Sequence, residues 1–211
     1  MDLNDFKKLP LMGILRAINL NSVSSLVQTV KTCGLKTIEV TMNTASADKL
    51  ISEIKKMSQD TLVVGAGTVL SMDDLKKALD SGASFIVLPV LIKKVVEYCV
   101  KKDIPVFPGA LSPQEIYDAY SMGASMVKVF PAKFFGPDYL KEIKGPFNNI
   151  ELLACGGVTP QNLGQFFKSG ANAIAFGASI FNKELINKGD FSSIEENLKS
   201  LIGSYHNYLS F

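Results

Sequence analysis

Short apolar runs of about four to eight residues recur along the chain, each followed by a stretch with apolar positions at helical spacing. The runs that predict strands are Leu11 to Ile18, Thr37 to Met42, Thr61 to Gly67, Phe85 to Pro89, Ile104 to Gly109, Ser125 to Ala132, Ile150 to Gly157 and Ala173 to Gly177. Many are rich in β-branched and aromatic residues, and glycine or proline bounds most of them. Between them the pattern predicts helices over Ser22 to Cys33, Ser46 to Met57, Ser71 to Gly82, Ile92 to Lys102, Ser112 to Gly123, Pro137 to Lys144 and Thr159 to Gly170, with terminal helices from about Ile180 and Ser193. Ser22 and Ser71 read as N-caps, Ser71 ahead of the early acids Asp73 and Asp74, and Ser112-Pro113-Gln114-Glu115 is a capping box with proline at the first helical position. The residues before Leu11 read as a short polar lead.

Strand and helix alternate at a spacing of roughly 20–25 residues, the pattern of an all-parallel sheet. Eight such units favour an α/β fold closed into a single-domain (β/α)8 barrel over residues 1–211, with terminal helices. The alternative, an open doubly wound sheet, usually carries a glycine-rich dinucleotide turn after its first strand, and Arg16-Ala17-Ile18-Asn19 is not one.

Composition removes several classes of function. A formal net charge of +2 over 211 residues gives no global field for nucleic acid or an anionic membrane. No apolar run approaches the roughly 20 residues that span a bilayer. The start lacks the basic-then-apolar order of a signal peptide, so a cytoplasmic protein without nucleic-acid or membrane partners is expected. Cys33, Cys99 and Cys155 are far apart, lack metal-ligand spacing and are expected as buried free thiols. The one histidine, His206, lies in a polar helical tail and is expected at the surface. A Ser-His-Asp triad or a multi-histidine metal site is therefore excluded, and acid–base work falls to carboxylate, lysine, tyrosine, water or substrate.

Lys128 stands inside Val127-Lys128-Val129, and Glu39 inside Ile38-Glu39-Val40. Alternation turns each charged group away from its apolar neighbours, so both point into the barrel if those neighbours face the helices. A desolvated lysine amine is a nucleophile towards carbonyls, whereas a structural ion pair or a snorkelling stem is the plainer explanation. Arg16, Asn43, Thr68 and Ser179 also fall near strand ends, the catalytic rim of such barrels. Arg16 suits a carboxylate or phosphate, or a salt bridge at the rim. Gly65-Ala66-Gly67 permits close approach of a ligand or simply a tight turn. Gly156-Gly157 and Gly177-Ala178-Ser179 follow the seventh and eighth strands, where backbone N–H groups commonly bind phosphate.

Taken together, these pieces resemble the 2-keto-3-deoxy-6-phosphogluconate (KDPG) / 4-hydroxy-2-oxoglutarate aldolases. The resemblance runs from Gly13-Ile14-Leu15-Arg16 to Ser179 through Ile38-Glu39-Val40-Thr41, Gly65-Ala66-Gly67-Thr68-Val69, Pro108-Gly109, Lys128-Val129-Phe130-Pro131-Ala132 and Gly156-Gly157-Val158. It implies a class I lyase in which Lys128 forms a Schiff base and Glu39 is the acid/base. Thr68, Pro89 and Phe130 would line the pyruvyl pocket, and Gly156, Gly157, Gly177 and Ser179 the phosphate site. It further implies a phosphorylated keto sugar acid and pyruvate as small-molecule partners, no metal or organic cofactor, and a homotrimer. Three positions depart from the family pattern. Asn43 replaces a common substrate-binding arginine, as in the related 6-phosphogalactonate branch. Leu88-Pro89-Val90 replaces a Ser-Pro-Gly, and Cys155 a threonine. The expected activity is cleavage of a KDPG-like acid to pyruvate and glyceraldehyde 3-phosphate, with 4-hydroxy-2-oxoglutarate or the 6-phosphogalactonate epimer as other substrates. A non-covalent phosphosugar isomerase or epimerase and a silent scaffold are the rivals.

Overall fold

Strand pairing follows the apolar runs in a computed structural model that describes residues 1–210. β1 (Leu11–Leu15), β2 (Thr37–Thr41), β3 (Val63–Gly67), β4 (Ile86–Val87), β5 (Val106–Phe107), β6 (Gly109–Ala110), β7 (Val127–Val129), β8 (Leu152–Cys155) and β9 (Ala173–Phe176) form one parallel sheet. The neighbour order is β5-β4-β3-β2-β1-β9-β8-β7-β6. The two outermost strands, β5 and β6, are separated in sequence only by Pro108, so the chain itself closes the ring. The (β/α)8 barrel is therefore present, with the fifth expected strand split in two. Proline has no N–H to donate, which breaks the ladder there, while its carbonyl accepts from the Lys128 N–H at 2.9 Å. Gly109 is required by space: a Cβ on it would lie 2.2 Å from the Pro89 carbonyl oxygen.

The helices are α1 (Leu3–Lys8), α2 (Val23–Thr32), α3 (Ala47–Ser58), α4 (Met72–Asp80), α5 (Lys93–Lys101), α6 (Pro113–Ser121), α7 (Gly136–Lys144), α8 (Leu163–Lys168), α9 (Lys183–Lys188) and α10 (Phe191–Leu209). They wrap the sheet through a continuous outer core. Strand residues Ile38, Val40, Val127, Val129 and Leu152 belong to it, with helix residues Leu26, Ile51, Val96, Ile116 and Leu140. A second core fills the barrel, with Met12, Phe85, Val87, Phe107, Leu153 and Ala175 buried among one another. These two faces explain why many strands read as continuous apolar runs. Ser71 and Ser112 cap α4 and α6 as the sequence predicts, the latter through a complete capping box.

Several local expectations are corrected. The polar lead is α1, capped by the Asp2 carboxylate, and its buried Phe6 meets Phe107 edge-on at 6.1 Å. One apolar residue among polar neighbours gives too short a pattern to signal a helix, and only the barrel's open floor supplies its partner. Ser22 does not cap α2 with its side chain: a 3-10 turn over Leu20–Ser22 intervenes, and the Asn19 side chain accepts from the Ser22 N–H instead. The helix of the seventh unit begins at Leu163 rather than Thr159, because Asn162 folds back to accept from the Thr159 N–H at 2.8 Å. Cys33 is half-buried, whereas Cys99 and Cys155 are buried; all three thiols are free. His206 is exposed. No helix of the described residues is long and apolar enough to cross a membrane.

Candidate active site

Lys128 sits at the centre of β7 with Val127 and Val129 in the outer core, so the strand's alternation turns it into the barrel. It is only 5% exposed, and its Nζ lies 5.2 Å from the centroid of the Phe130 ring. Glu39 occupies the equivalent inward position on β2, paired in register with Ile14 on one side and Gly65 on the other. It is 1% exposed, and its Oε2 has no hydrogen-bond partner. A Cβ on Gly67 would stand 2.3 Å from the Glu39 Oε1, so the missing side chain is what leaves space for the carboxyl group. Burial pushes the Glu39 carboxyl above its ordinary value, against the smaller opposing pull of the Lys128 and Arg16 charges. Burial also pushes up the Cys155 thiol, with Lys128 opposing and Glu39 adding to the rise. These four side chains therefore share one field inside the barrel mouth.

The loops after β1 and β3 hold Arg16. Ala17 and Thr68 both adopt positive φ, at 53° and 55°, an unusual backbone for residues other than glycine. The Ala17 N–H donates to the Thr44 Oγ1 at 3.0 Å, and Thr44 in turn meets the Thr41 hydroxyl at 2.9 Å. That brace sets the direction of the preceding residue: the Arg16 Nη2 donates to the Thr68 Oγ1 at 3.4 Å.

Across the mouth, Gly156 and Gly157 take φ of 98° and 77°, which only glycine adopts freely. The Asn162 side chain donates to the Gly157 carbonyl at 2.9 Å, and the Ser179 Oγ donates to the Val158 carbonyl at 2.8 Å. The loops after β8 and β9 are thus tied to one another. The Ser179 hydroxyl proton is already committed to that tie.

Arg16, Thr68, Pro89, Lys128, Phe130, Gly156, Gly157, Gly177 and Ser179 line one cleft of about 440 Å³. Glu39 lies beneath its wall rather than on it, and Asn43 is exposed outside the lining. The same cleft includes Cys155, Val158, Phe181, Lys133 and Lys183. Sequence reasoning gave these no site role, and nothing in a chain with 22 basic residues singles out Lys133 or Lys183. Another cleft, of about 420 Å³, runs beneath α1 at the opposite end between residues such as Asp2, Lys36 and Thr61. Its lining includes neither Lys128 nor Glu39. A buried amine, a buried carboxyl of raised proton affinity and a mouth lined by basic side chains suit covalent chemistry on an anionic keto compound.

Comparison with known proteins points the same way. The sequence profile of the family described as KDPG and KHG aldolase matches residues 3–197. The chain is 32% identical over 175 residues to the 2-dehydro-3-deoxy-6-phosphogalactonate aldolase of Escherichia coli strain K12, covering 82% of this chain and 85% of that protein. A solved native KDPGal structure is 28% identical, with a TM-score of 0.90 and coverage of 97% of this chain and 98% of that one. The KDPG aldolase from Legionella pneumophila, solved with pyruvate captured as a covalent carbinolamine intermediate, is 25% identical with a TM-score of 0.85, covering 91% and 93%.

Proposed function

Because the chain belongs to the KDPG and KHG aldolase family, we propose that it cleaves a phosphorylated 2-keto-3-deoxy sugar acid to pyruvate and glyceraldehyde 3-phosphate. It is a carbon–carbon lyase of class I. The observation that carries the mechanism is the pair of inward side chains, Lys128 and Glu39, on separate strands at the same barrel mouth. The Lys128 amine adds to the C2 ketone, and loss of water from the carbinolamine leaves an iminium ion. As the C4 hydroxyl gives up its proton, the C3–C4 bond breaks and its electron pair flows into the iminium, forming an enamine and releasing the aldehyde. Protonation at C3 and hydrolysis then free pyruvate and the amine. Glu39 moves these protons through a water; burial raises its carboxyl above the ordinary value, which makes its carboxylate the stronger base. Arg16 and Thr68 hold the pyruvyl carboxylate, Pro89 and Phe130 enclose the pyruvyl end, and the loops of Gly156, Gly157, Gly177 and Ser179 take the phosphate.

The E. coli relative's name favours the 6-phosphogalactonate epimer as a second reading. Asn43, exposed beyond the cleft, leaves unfilled the place of the arginine common in the gluconate branch. Unphosphorylated 4-hydroxy-2-oxoglutarate is a further substrate on this reading. The enzyme works in the cytoplasm as a homotrimer, which sedimentation of the purified protein checks.

Borohydride reduction with pyruvate tests the central step. The expected result is a reduced pyruvyl adduct located on Lys128 by peptide mass spectrometry. Failure to trap any adduct, with turnover intact, would reject the imine and favour a non-covalent isomerase or epimerase. Cleavage rates on the gluconate and galactonate epimers then decide between the two readings.

A further inference from the structure

Four basic side chains line the cleft, Arg16, Lys128, Lys133 and Lys183, and no carboxylate lines it. The whole chain carries only +2, so this concentration is local. The mechanism above employs Arg16 and Lys128 at the pyruvyl end and leaves the other two without a role. Both lie beside the glycine loops after β8 and β9. The Lys133 Cβ sits 2.4 Å from where a side chain on Gly157 would begin, and Lys183 follows the turn that the Gly177 carbonyl closes by accepting from the Phe181 N–H at 2.8 Å. Among the described residues the ion pairs are Lys7–Glu151, Lys8–Asp5 and Lys199–Glu195, so neither of these two amines is neutralised by a carboxylate. The Lys133 Nζ rests 4.9 Å from the centroid of the Phe134 ring, an exposed cation–π contact of the weak kind. Lysines on a protein surface are ordinarily interspersed with acids; two that line one acid-free cleft offer their positive charge to an anion.

Resting on the aldolase reading, we infer that Lys133 and Lys183 determine specificity for a phosphorylated substrate by clamping its phosphate as a dianion. The glycine loops supply directional N–H groups, and the two amines supply the charge that favours the second negative charge of the phosphate. A substrate lacking the phosphate has nothing for them to bind.

Steady-state kinetics of the wild type, Lys133→Gln, Lys183→Gln and the double variant test this on KDPG and on 4-hydroxy-2-oxoglutarate, at two ionic strengths. Each single change is expected to raise the KM for KDPG about three- to tenfold, and both together about ten- to fiftyfold, if the two act independently. The ratio of kcat/KM for the phosphorylated over the unphosphorylated substrate falls accordingly, and the salt dependence for KDPG becomes shallower. Equal losses on both substrates, or a ratio unchanged within about twofold, would overturn the assignment, the former marking a merely structural role. Failure of the aldolase reading is seen separately, as absence of a borohydride-trapped adduct in the wild type. In that event calorimetric titration with inorganic phosphate decides: the double variant binds it about tenfold more weakly if the clamp exists, and equally well if it does not.

Discussion

Gly65 and Gly67 stand two residues apart on β3 and face the same barrel interior, yet each makes room for something different. A side chain on Gly65 would meet the Phe85 ring at 2.4 Å; one on Gly67 would meet the Glu39 carboxyl at 2.3 Å. Below that level the barrel is sealed. Phe85 and Phe107 pack edge-on at 5.8 Å, and Phe6 of α1 closes the floor. Above it the interior holds Glu39, Lys128 and Cys155, roofed only by the cleft. The lower layer gains free energy by removing apolar surface from water. The upper layer does the reverse, burying polar groups and leaving a Glu39 oxygen unpartnered at a cost to stability. One short strand thus serves a core and a site, and the comparison teaches which loss each end can tolerate.

Substitutions divide accordingly. Lys128→Met removes the proposed nucleophile and is expected to lower turnover by about 10⁴-fold or more, the scale set by losing a covalent nucleophile, and to abolish the borohydride adduct. Glu39→Gln is expected to lower kcat about 10²- to 10⁴-fold. It also reports on stability. The folded carboxyl is raised above its ordinary 4.5, so the folded protein holds that proton more tightly than the unfolded chain. Below 4.5 the contribution is fully present; it is lost as pH rises through the raised folded value, at up to about 1.4 kcal/mol per pH unit. Urea titrations should therefore show Glu39→Gln gaining on the wild type across that window, with the gap closing in acid. At the other end, Phe6→Ala is expected to cost about 3–5 kcal/mol of stability, read from denaturant midpoints, with kcat retained. The two glycines give the sharpest crossing. Gly65→Ala should destabilise by about 1–3 kcal/mol through overpacking against Phe85, leaving the residual folded fraction active. Gly67→Ala should displace the Glu39 carboxyl and lower kcat about 10²-fold, with a smaller shift in thermal midpoint. Equal effects of the two alanines on kcat would show that the layers are not separable.

The barrel was legible because its signals are local. Alternating strand and helix patterns, glycine and proline punctuation and the capping residues Ser71 and Ser112 all report on neighbours within a few positions. Inward placement of Lys128 and Glu39 was legible for the same reason, since strand alternation is a property of three consecutive residues. The signals that failed were short or ambiguous. The lead hid α1 because its one buried residue, Phe6, has no periodic companions. Ser22 resembled a cap, but its hydroxyl donates instead to the Asn19 carbonyl at 2.8 Å, three residues earlier.

By itself the sequence determined the number and order of the βα units and which charged side chains face inward, because backbone sterics and the period of two act over short distances. Tertiary structure alone decided which of many lysines gather around the cleft, why Gly67 must lack a side chain, and that Asn43 lies outside. Those facts depend on where strands and loops far apart in sequence meet once the ring closes at Pro108, and spacing along one chain carries no record of that meeting.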